Sequence, residues 1–482
     1  MSSNVSSTAN YVVPLLLNGK EVTTSSTFDV TSPSTGQKLW PCSSASKEDA
    51  LAAIQAAEKA LPAWAKTKPA QRRDIILKAA DLLAVRKDES LKYMCEETGA
   101  DETFFEVIFD MTLEMLKDVA GRIAVALQGE IPICRQEGTS ALLLKEPYGV
   151  NFSIAPWNAP YVLGMRAIIY PVAAGNTVVF KGSELSPRCF WVLGRVLTDA
   201  GLPDGVLNTI YHRPQDAAEI TQTIIEHRAV QKINFTGSTA IGSIIAGLAG
   251  RNLKPVVMEL GGKASAIVLD DANLETAARE CALGAFLHTG QICMSTERIL
   301  VQKTILPAFR DALRQAISTI FPASKPGVTV TAAAVEKNKR LINDAVSKGA
   351  KVIHGDPSIE ESTKTRMAPI VVEGVSKEMD LYYTESFGPS VSLIPFETEE
   401  DAIEAANDTE YGLSGAVFTE NLARGLRVAK QIESGAIHIN SMSVHDEASL
   451  PHGGAKKSGF GRFNATWGLA EFLRTKTITF QE

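Results

Sequence analysis

The sequence predicts an α/β protein built on parallel sheets, and three observations carry that prediction. From Tyr148 to Glu259, short apolar runs alternate with helical stretches, a rhythm that puts helices on the faces of a parallel sheet. The same alternation returns from about Gly261 to Ile439, so a second sheet follows the first. The chain then closes on Arg474-Thr-Lys-Thr-Ile-Thr-Phe480, whose period of two marks a strand, and a strand so late in the chain needs a partner along its edge. At 482 residues the chain is long enough for roughly two or three domains.

Composition narrows the class. With 45% hydrophobic and 21% charged residues, the chain suits a soluble globular protein able to bury sizeable cores. Its 48 lysines and arginines against 55 acidic residues give a formal charge of −7, which argues against a general affinity for nucleic acid or an anionic membrane. The six cysteines, at 42, 95, 134, 189, 281 and 293, are scattered without a CxxC pair. That spacing suggests neither a metal site nor a disulfide framework and fits a reducing, cytoplasmic setting. Met1 to Asn10 is polar, reads as disordered, and lacks the basic start and apolar segment of a secretory signal. The closing Thr479-Phe-Gln-Glu482 matches no retention or peroxisomal address. Between Gly149 and Phe180 the one charge is Arg166. Pro156, Pro160 and Pro171 interrupt that run, and strand signals alternate with loop signals, so it is expected to be buried core and not a membrane span.

Taken in order, Val13 to Glu21 and Thr27 to Thr31 predict short strands around Asn18-Gly19, a hairpin signal. Ser46-Lys-Glu-Asp49 has the form of a capping box, opening a helix with Leu51, Ile54 and Leu61 on one face. A second helix is predicted from Pro69 to about Lys87, with Ile75, Ile76, Ala79, Leu82 and Leu83 inward, and a third from about Glu89 into the 120s. Thr139 to Pro147 predicts a strand able to project as an arm. The first sheet draws on Val150–Ile154, Thr177–Lys181, Val206–Ile210 and Gln231–Phe235. The second draws on Ala264–Leu269, Arg298–Val301, Lys351–His354, Ala368–Val372, Ser390–Pro395, Gly415–Thr419 and Gly435–Ile439. Helices Leu274–Leu283, Val335–Ser347, Glu399–Asn407 and Leu422–Ile432 lie between them.

The stretch from Gly284 to Glu297 is apolar, rich in small residues and uncharged until its end, with Cys293 at its centre. Taken alone, an intracellular cysteine is ordinarily a small buried hydrophobe. A thiolate at the floor of a cleft is instead a strong nucleophile toward a carbonyl carbon, and partners for that chemistry occur elsewhere in the chain. Ile233 to Gly242 runs from strand through a glycine turn into a helix whose N-terminus suits a phosphate; Gly237 permits close approach and Ser238 adds a hydroxyl. Lys181 and Glu184, ending another strand, read in isolation as a solvated charge pair; alternatively both hydrogen-bond ribose hydroxyls, and a carboxylate there repels a 2′-phosphate, favouring NAD over NADP. Glu259, beside two glycines, suits a general base in an apolar cleft or, alternatively, a surface pair with Lys263. Asn158, between Pro156 and Pro160, can donate to a developing oxyanion or serve simply as a turn residue.

Seven motifs in order are Pro156-Trp-Asn158, Phe180-Lys-Gly-Ser-Glu184, Phe235-Thr-Gly-Ser-Thr239, Glu259-Leu-Gly-Gly-Lys263, Gly290-Gln-Ile-Cys293, Glu385-Ser-Phe-Gly-Pro389 and the glycine loop Pro451 to Arg462. Together they resemble the aldehyde dehydrogenase superfamily over nearly the whole chain. The resemblance implies an aldehyde dehydrogenase-like fold of two Rossmann-like α/β domains plus a β-strand oligomerisation arm. Residues 1–125 and 147–258 would form the NAD-binding domain, 259–450 the catalytic domain, and 126–146 with 451–482 the oligomerisation and bridging segments. It also implies that Cys293 attacks the aldehyde to give a thiohemiacetal, with Asn158 and the cysteine's own N–H as the oxyanion hole. Hydride then passes to NAD, and Glu259 activates water against the resulting thioester. Lys181 and Glu184 would hold the adenosine ribose, Gly237 and Ser238 the pyrophosphate, and Glu385 and Phe387 the nicotinamide end.

Within the superfamily the resemblance is strongest to salicylaldehyde, vanillin and benzaldehyde dehydrogenases, through Phe180 to Glu184, Cys293 to Arg298 and Gly164 to Pro171. It implies an aromatic aldehyde met by Arg166, Phe104, Ile292 and Met294, with the Arg166 guanidinium binding a ring hydroxyl or phenolate. Three departures stand out: Ile210 to Asp216 lacks the usual glycines, Ser324 to Thr331 is shortened, and Phe463 stands where relatives carry a second carboxylate near the proton path. His288 is near Cys293 in sequence, but a short separation ensures no contact and the family needs no histidine. No metal is expected. The alternatives are an aliphatic or CoA-acylating aldehyde dehydrogenase, or a non-catalytic structural protein on the same fold. The arm's exposed edges predict a homodimer or homotetramer.

Overall fold

The protein, as a computed structural model, is described over residues 11–481; the polar start from Met1 to Asn10 lies outside the described residues. The predicted α/β class is the one observed. Val150–Ile154 is the buried centre of an eight-stranded sheet. Thr177–Lys181 and then Leu207–Ile210 lie to one side, Val230–Thr236 and Val256–Glu259 to the other, all parallel. Val178, Val179 and Phe180 are fully enclosed, as strands covered by helices on both faces must be. The hairpin Leu15–Leu17 with Lys20–Val22 extends one edge antiparallel, and Gly459–Phe460 closes the other. Chain order reverses between Val150–Ile154 and Val230–Thr236, so connections leave in opposite directions and open a crevice at the strands' carboxyl ends.

The second sheet has seven strands in the order Lys351–His354, Ile370–Glu373, Ser390–Phe396, Thr296–Gln302, Ala264–Val268, Ala416–Phe418 and His438–Ile439. All pair in parallel except the first, which runs antiparallel at the edge. A separate ribbon pairs Thr139–Pro147 with Leu473–Gln481 through nine residue pairs, giving the late strand its partner. Ile478 and Phe480 on this ribbon, and Ile131 and Ile133 just before it, remain exposed. Among the described residues no helix is long and apolar enough to cross a membrane.

Several expectations need correction. Asn18 and Gly19, both at positive φ, turn Leu15–Leu17 into Lys20–Val22, whereas Thr27–Thr31 pairs with the unpredicted strand Lys38–Ser43. The single helix expected from Glu89 is two, Lys87–Thr98 and Glu102–Ala126. Gly99 ends the first in the left-handed region, and the Asp101 carboxylate starts the second by accepting from the Phe104 N–H. The run from Pro160 to Ala173, whose strand and loop signals stood against the helical stretch that the strand–helix rhythm places there, is a helix with all fourteen residues buried. It has no polar face to give a period of 3.6, and its prolines fit. Pro160 occupies the first turn, where no N–H is needed. Pro171 deprives the Ala167 carbonyl of its helical donor, and the Asn234 amide, 3.4 Å away, serves it instead. The strand Val256–Glu259 and the helix Leu306–Ile320 were also not foreseen.

Gly459 joins the closing strand to Glu259, the residue it pairs with. Its φ is 113°, and a Cβ there would collide with the Met258 carbonyl. Gly459→Ala is expected to destabilise the protein by about 1–3 kcal/mol; a urea midpoint equal to that of the parent would contradict this account.

Candidate active site

The helix Leu274–Phe286 delivers the chain to a tight turn in which His288, Thr289 and Gly290 all have positive φ. Gln291, fully buried, then anchors the turn. Its amide donates to the His288 and Val328 carbonyls at 3.1 and 3.0 Å, and its oxygen accepts from the Val330 N–H at 2.9 Å. The shortened Ser324 to Thr331 segment therefore braces the back of this turn. The strand Thr296–Gln302 begins immediately afterwards. Cys293 is left partly exposed between the two, at the meeting of two cavities.

One cavity, of about 240 Å³, lies at the carboxyl ends of the first sheet's strands, where the chain order reverses. Trp157, Gly237, Ser238, Glu259, Glu385 and Phe387 line it. Ser238 caps the helix Thr239–Arg251 without spending its hydroxyl on a cap bond, so hydroxyl and helix N–H groups are free for an anionic ligand. A Cβ at Gly237 would run into the Phe235 ring, so the turn requires glycine. Lys181 and Glu184 do not line this cavity; they pair with each other at 3.2 Å on the neighbouring strand end of the same sheet edge. Burial works to raise the Glu184 carboxyl, but Lys181 leads the contacts that hold it below the ordinary range, so it stays anionic. The departing loop from Ile210 contributes His212 beside them, where burial and then Lys181 push its pKa down to about 4.

Glu259 ends the strand Val256–Glu259 with 1% exposure, and neither of its oxygens has a hydrogen-bond partner. The surface pair with Lys263 does not occur. Lys263, itself enclosed, instead reaches the enclosed Glu297 at 2.6 Å and the Thr384 carbonyl at 2.8 Å. Burial first, and then the charge of Glu259, drive the Cys293 thiol well above its ordinary range. Glu385 is pushed up to about 7 by burial, reinforced by Glu297, while accepting from the Gly262 N–H at 2.8 Å. The Phe387 ring meets Trp157 edge-on at 6.1 Å.

The other cavity, of about 200 Å³, is lined mostly by apolar side chains. Phe104, Ile292 and Met294 line it together with Ile108, Met111 and Val444. Asn158 borders both cavities; its amide donates to the Gln291 carbonyl at 2.9 Å, leaving a second N–H. Arg166 is present but is not the free cation expected, because its guanidinium is paired with Asp446 and both are nearly enclosed. That partner lies 280 positions away and had no local signal in the sequence. Phe463 lies under the Arg166 guanidinium at 5.8 Å, where a carboxylate was noted as missing. His288 does not approach the sulfur as a base: it stacks on Phe104 at 4.4 Å, and burial pushes its pKa down to about 3. Sequence reasoning missed Trp157, Glu297, Asp446 and His452; Trp157 and Glu297 stood inside quoted motifs without a role of their own. Among the described residues no cluster of potential metal ligands occurs.

An uncommitted carboxylate, a partly open sulfur, an amide facing both cavities and a free helix N-terminus can together support covalent attack on a carbonyl beside a bound dinucleotide. Comparison with known proteins points the same way. The model of the aldehyde dehydrogenase family matches residues 21–478. A vanillin dehydrogenase of Pseudomonas fluorescens is 42% identical over 477 residues, covering 97% of this chain and 98% of that one. A crystal structure of a salicylaldehyde dehydrogenase from Pseudomonas putida G7 complexed with salicylaldehyde superposes with a TM-score of 0.94 at 36% identity, covering 98% of each chain. A betaine aldehyde dehydrogenase from Staphylococcus aureus in complex with NAD+ gives 0.91 at 29% identity, covering 97% of this chain and 94% of that one.

Two measurements test this geometry. Because the Cys293 thiol titrates high, its alkylation by iodoacetamide in the ligand-free protein should still be accelerating above pH 9.0, and Glu259→Gln should move the profile to lower pH. A profile already flat at neutral pH would refute the assignment. Lys263→Met leaves Glu297 buried without its cation and should cost about 3–5 kcal/mol in urea denaturation, much of it recovered by adding Glu297→Leu.

Proposed function

This chain belongs to the aldehyde dehydrogenase family and is an oxidoreductase acting on aldehydes with NAD(P), and on that footing we propose that it oxidises aromatic aldehydes to carboxylic acids with NAD. The observation that carries the reading is Cys293 at the junction of an apolar cavity and a crevice suited to a dinucleotide. The apolar cavity, about 200 Å³, suits one substituted ring, given that an engineered cavity of about 150 Å³ holds benzene. The sulfur attacks the aldehyde carbon to form a thiohemiacetal, and the free Asn158 N–H and the Cys293 backbone N–H stabilise the oxyanion. Ser238 and Gly237 hold the pyrophosphate of NAD, Lys181 and Glu184 its adenosine ribose, and Glu385 with Phe387 its nicotinamide end. When bound, NAD would supply the hydride acceptor for oxidation at the thiohemiacetal carbon, leaving a thioester on Cys293. Glu259, with both oxygens free, then takes a proton from water so that the acid is released. That uncommitted base supports hydrolysis over transfer to CoA, and the anionic Glu184 supports NAD over NADP.

The same reading assigns residues 1–125 and 147–258 to NAD, 259–450 to the catalytic domain, and 126–146 with 451–482 to assembly and bridging. Exposed Ile131, Ile133, Ile478 and Phe480 support a homodimer or homotetramer, and six free thiols suit the cytoplasm.

Following NADH absorbance with benzaldehyde, salicylaldehyde, vanillin and hexanal tests this. Aromatic substrates should give the higher kcat/KM, and the idea fails if only hexanal is oxidised. Cys293→Ala should abolish turnover, and Asn158→Ala should lower kcat by about 100-fold, equivalent to about 3 kcal/mol.

A further inference from the structure

Besides Asn158 and Cys293, the polar side chains lining the apolar cavity are Arg166, His445, Asp446 and His452, and the charges among them are matched. Arg166 and Asp446 form an ion pair with side chains only 3% and 7% exposed. The other Asp446 oxygen accepts from the Asn464 amide at 2.7 Å, and His452 Nδ1 stands 3.9 Å from it. His445 also lines the cavity but is engaged with Glu447 at 2.9 Å. Glu259, across the sulfur, adds its own negative influence on Arg166. No positive charge is left uncompensated, yet hydrogen-bonding capacity remains. The buried Arg166 Nε–H has no partner, and each Asp446 oxygen holds a spare lone pair.

We infer that Asp446 is a specificity-determining residue: by neutralising Arg166 it fits the cavity to aldehydes bearing an uncharged hydrogen-bonding group, such as a ring hydroxyl, and turns away aldehydes bearing a carboxylate. This rests on the aromatic-aldehyde reading above. A ring hydroxyl donates to a spare lone pair of the Asp446 carboxylate. A carboxylate brought to the same place meets Asp446 as a like charge and finds no free cation to offset its lost hydration.

The test compares kcat/KM for benzaldehyde, hydroxybenzaldehydes and formylbenzoates in the full-length protein with NAD, always as ratios within one variant so that general losses cancel. The parent should favour hydroxybenzaldehydes over formylbenzoates. Asp446→Asn keeps the side chain's shape but frees the Arg166 charge; it should raise the formylbenzoate to benzaldehyde ratio about tenfold or more and reduce the preference for the hydroxyl. The double variant Arg166→Leu with Asp446→Leu removes both charges; it should abolish the hydroxyl preference without admitting formylbenzoates, and it serves if Asp446→Asn alone fails to fold. An unchanged formylbenzoate ratio in Asp446→Asn, or a hydroxyl preference surviving in the double variant, overturns the inference. If the parent oxidises no aromatic aldehyde, the aromatic reading falls separately. Hexanal against succinate semialdehyde then carries the same charge test, and a shift toward the anion in Asp446→Asn upholds the role of Asp446.

Discussion

The buried pair of Lys263 and Glu297 is the contact on which the rest of the site depends. Each belongs to a different support: Lys263 follows the turn after Glu259, and Glu297 lies on the central strand that begins just beyond Cys293. Together they hold a third segment. Glu297 accepts from the Ser386 N–H at 2.8 Å, the Ser386 hydroxyl at 3.0 Å and the Phe387 N–H at 3.0 Å, while Lys263 grips the Thr384 carbonyl. Taking both charges out of water is costly, and only this dense set of hydrogen bonds makes the pair tolerable. Its effect is to tie Glu259, Cys293 and the Glu385–Phe387 loop to one rigid point, which a weaker apolar contact would not fix in register.

Three glutamates near the sulfur thus occupy distinct states because their partners differ. Glu297 is saturated by donors and works as a fastener. Glu385 has one backbone donor, and burial, reinforced by the charge of Glu297, pushes its pKa up to about 7. Glu259 has no amide, amine or hydroxyl donor on either oxygen, its neighbour there being the Cys293 thiol; among the described residues it is the one enclosed carboxylate so placed. An unmade hydrogen bond on a buried acid costs folding free energy, so its retention beside a thiol is more readily explained by chemistry than by stability.

How much could be read from the chain follows from what each feature rests on. Strands with flanking turns, the capping box at Ser46 and the motif residues around Cys293 are local patterns, and they appeared where expected. The helix Pro160–Ala173 did not announce itself, because a helix buried all round has no polar face and its prolines mimic loop punctuation. Gly99 and Asp101 did carry an end and a start signal, but continuous helical pattern on both sides masked them. The partnership of Arg166 with Asp446 was out of reach for another reason: the charge on one side chain says nothing about which distant residue will neutralise it. Sequence therefore picked out residues that the fold brings together and left their pairings unread.

That difference matters most at Cys293, where the supporting geometry is entirely non-local. Three successive residues at positive φ, two of them not glycine, are strained, and the strain persists because the buried Gln291 side chain makes three hydrogen bonds to fix the turn. Gly290 packs against the Gly388 carbonyl and Gly262 against the carbonyl of Cys293, approaches that no Cβ would allow. The sulfur is thereby held at the one wall the two cavities share, with Asn158 bordering both. Ligands entering from the apolar side and from the sheet crevice would then share one boundary, at Cys293. Proximity there is a property of the folded frame rather than of either ligand.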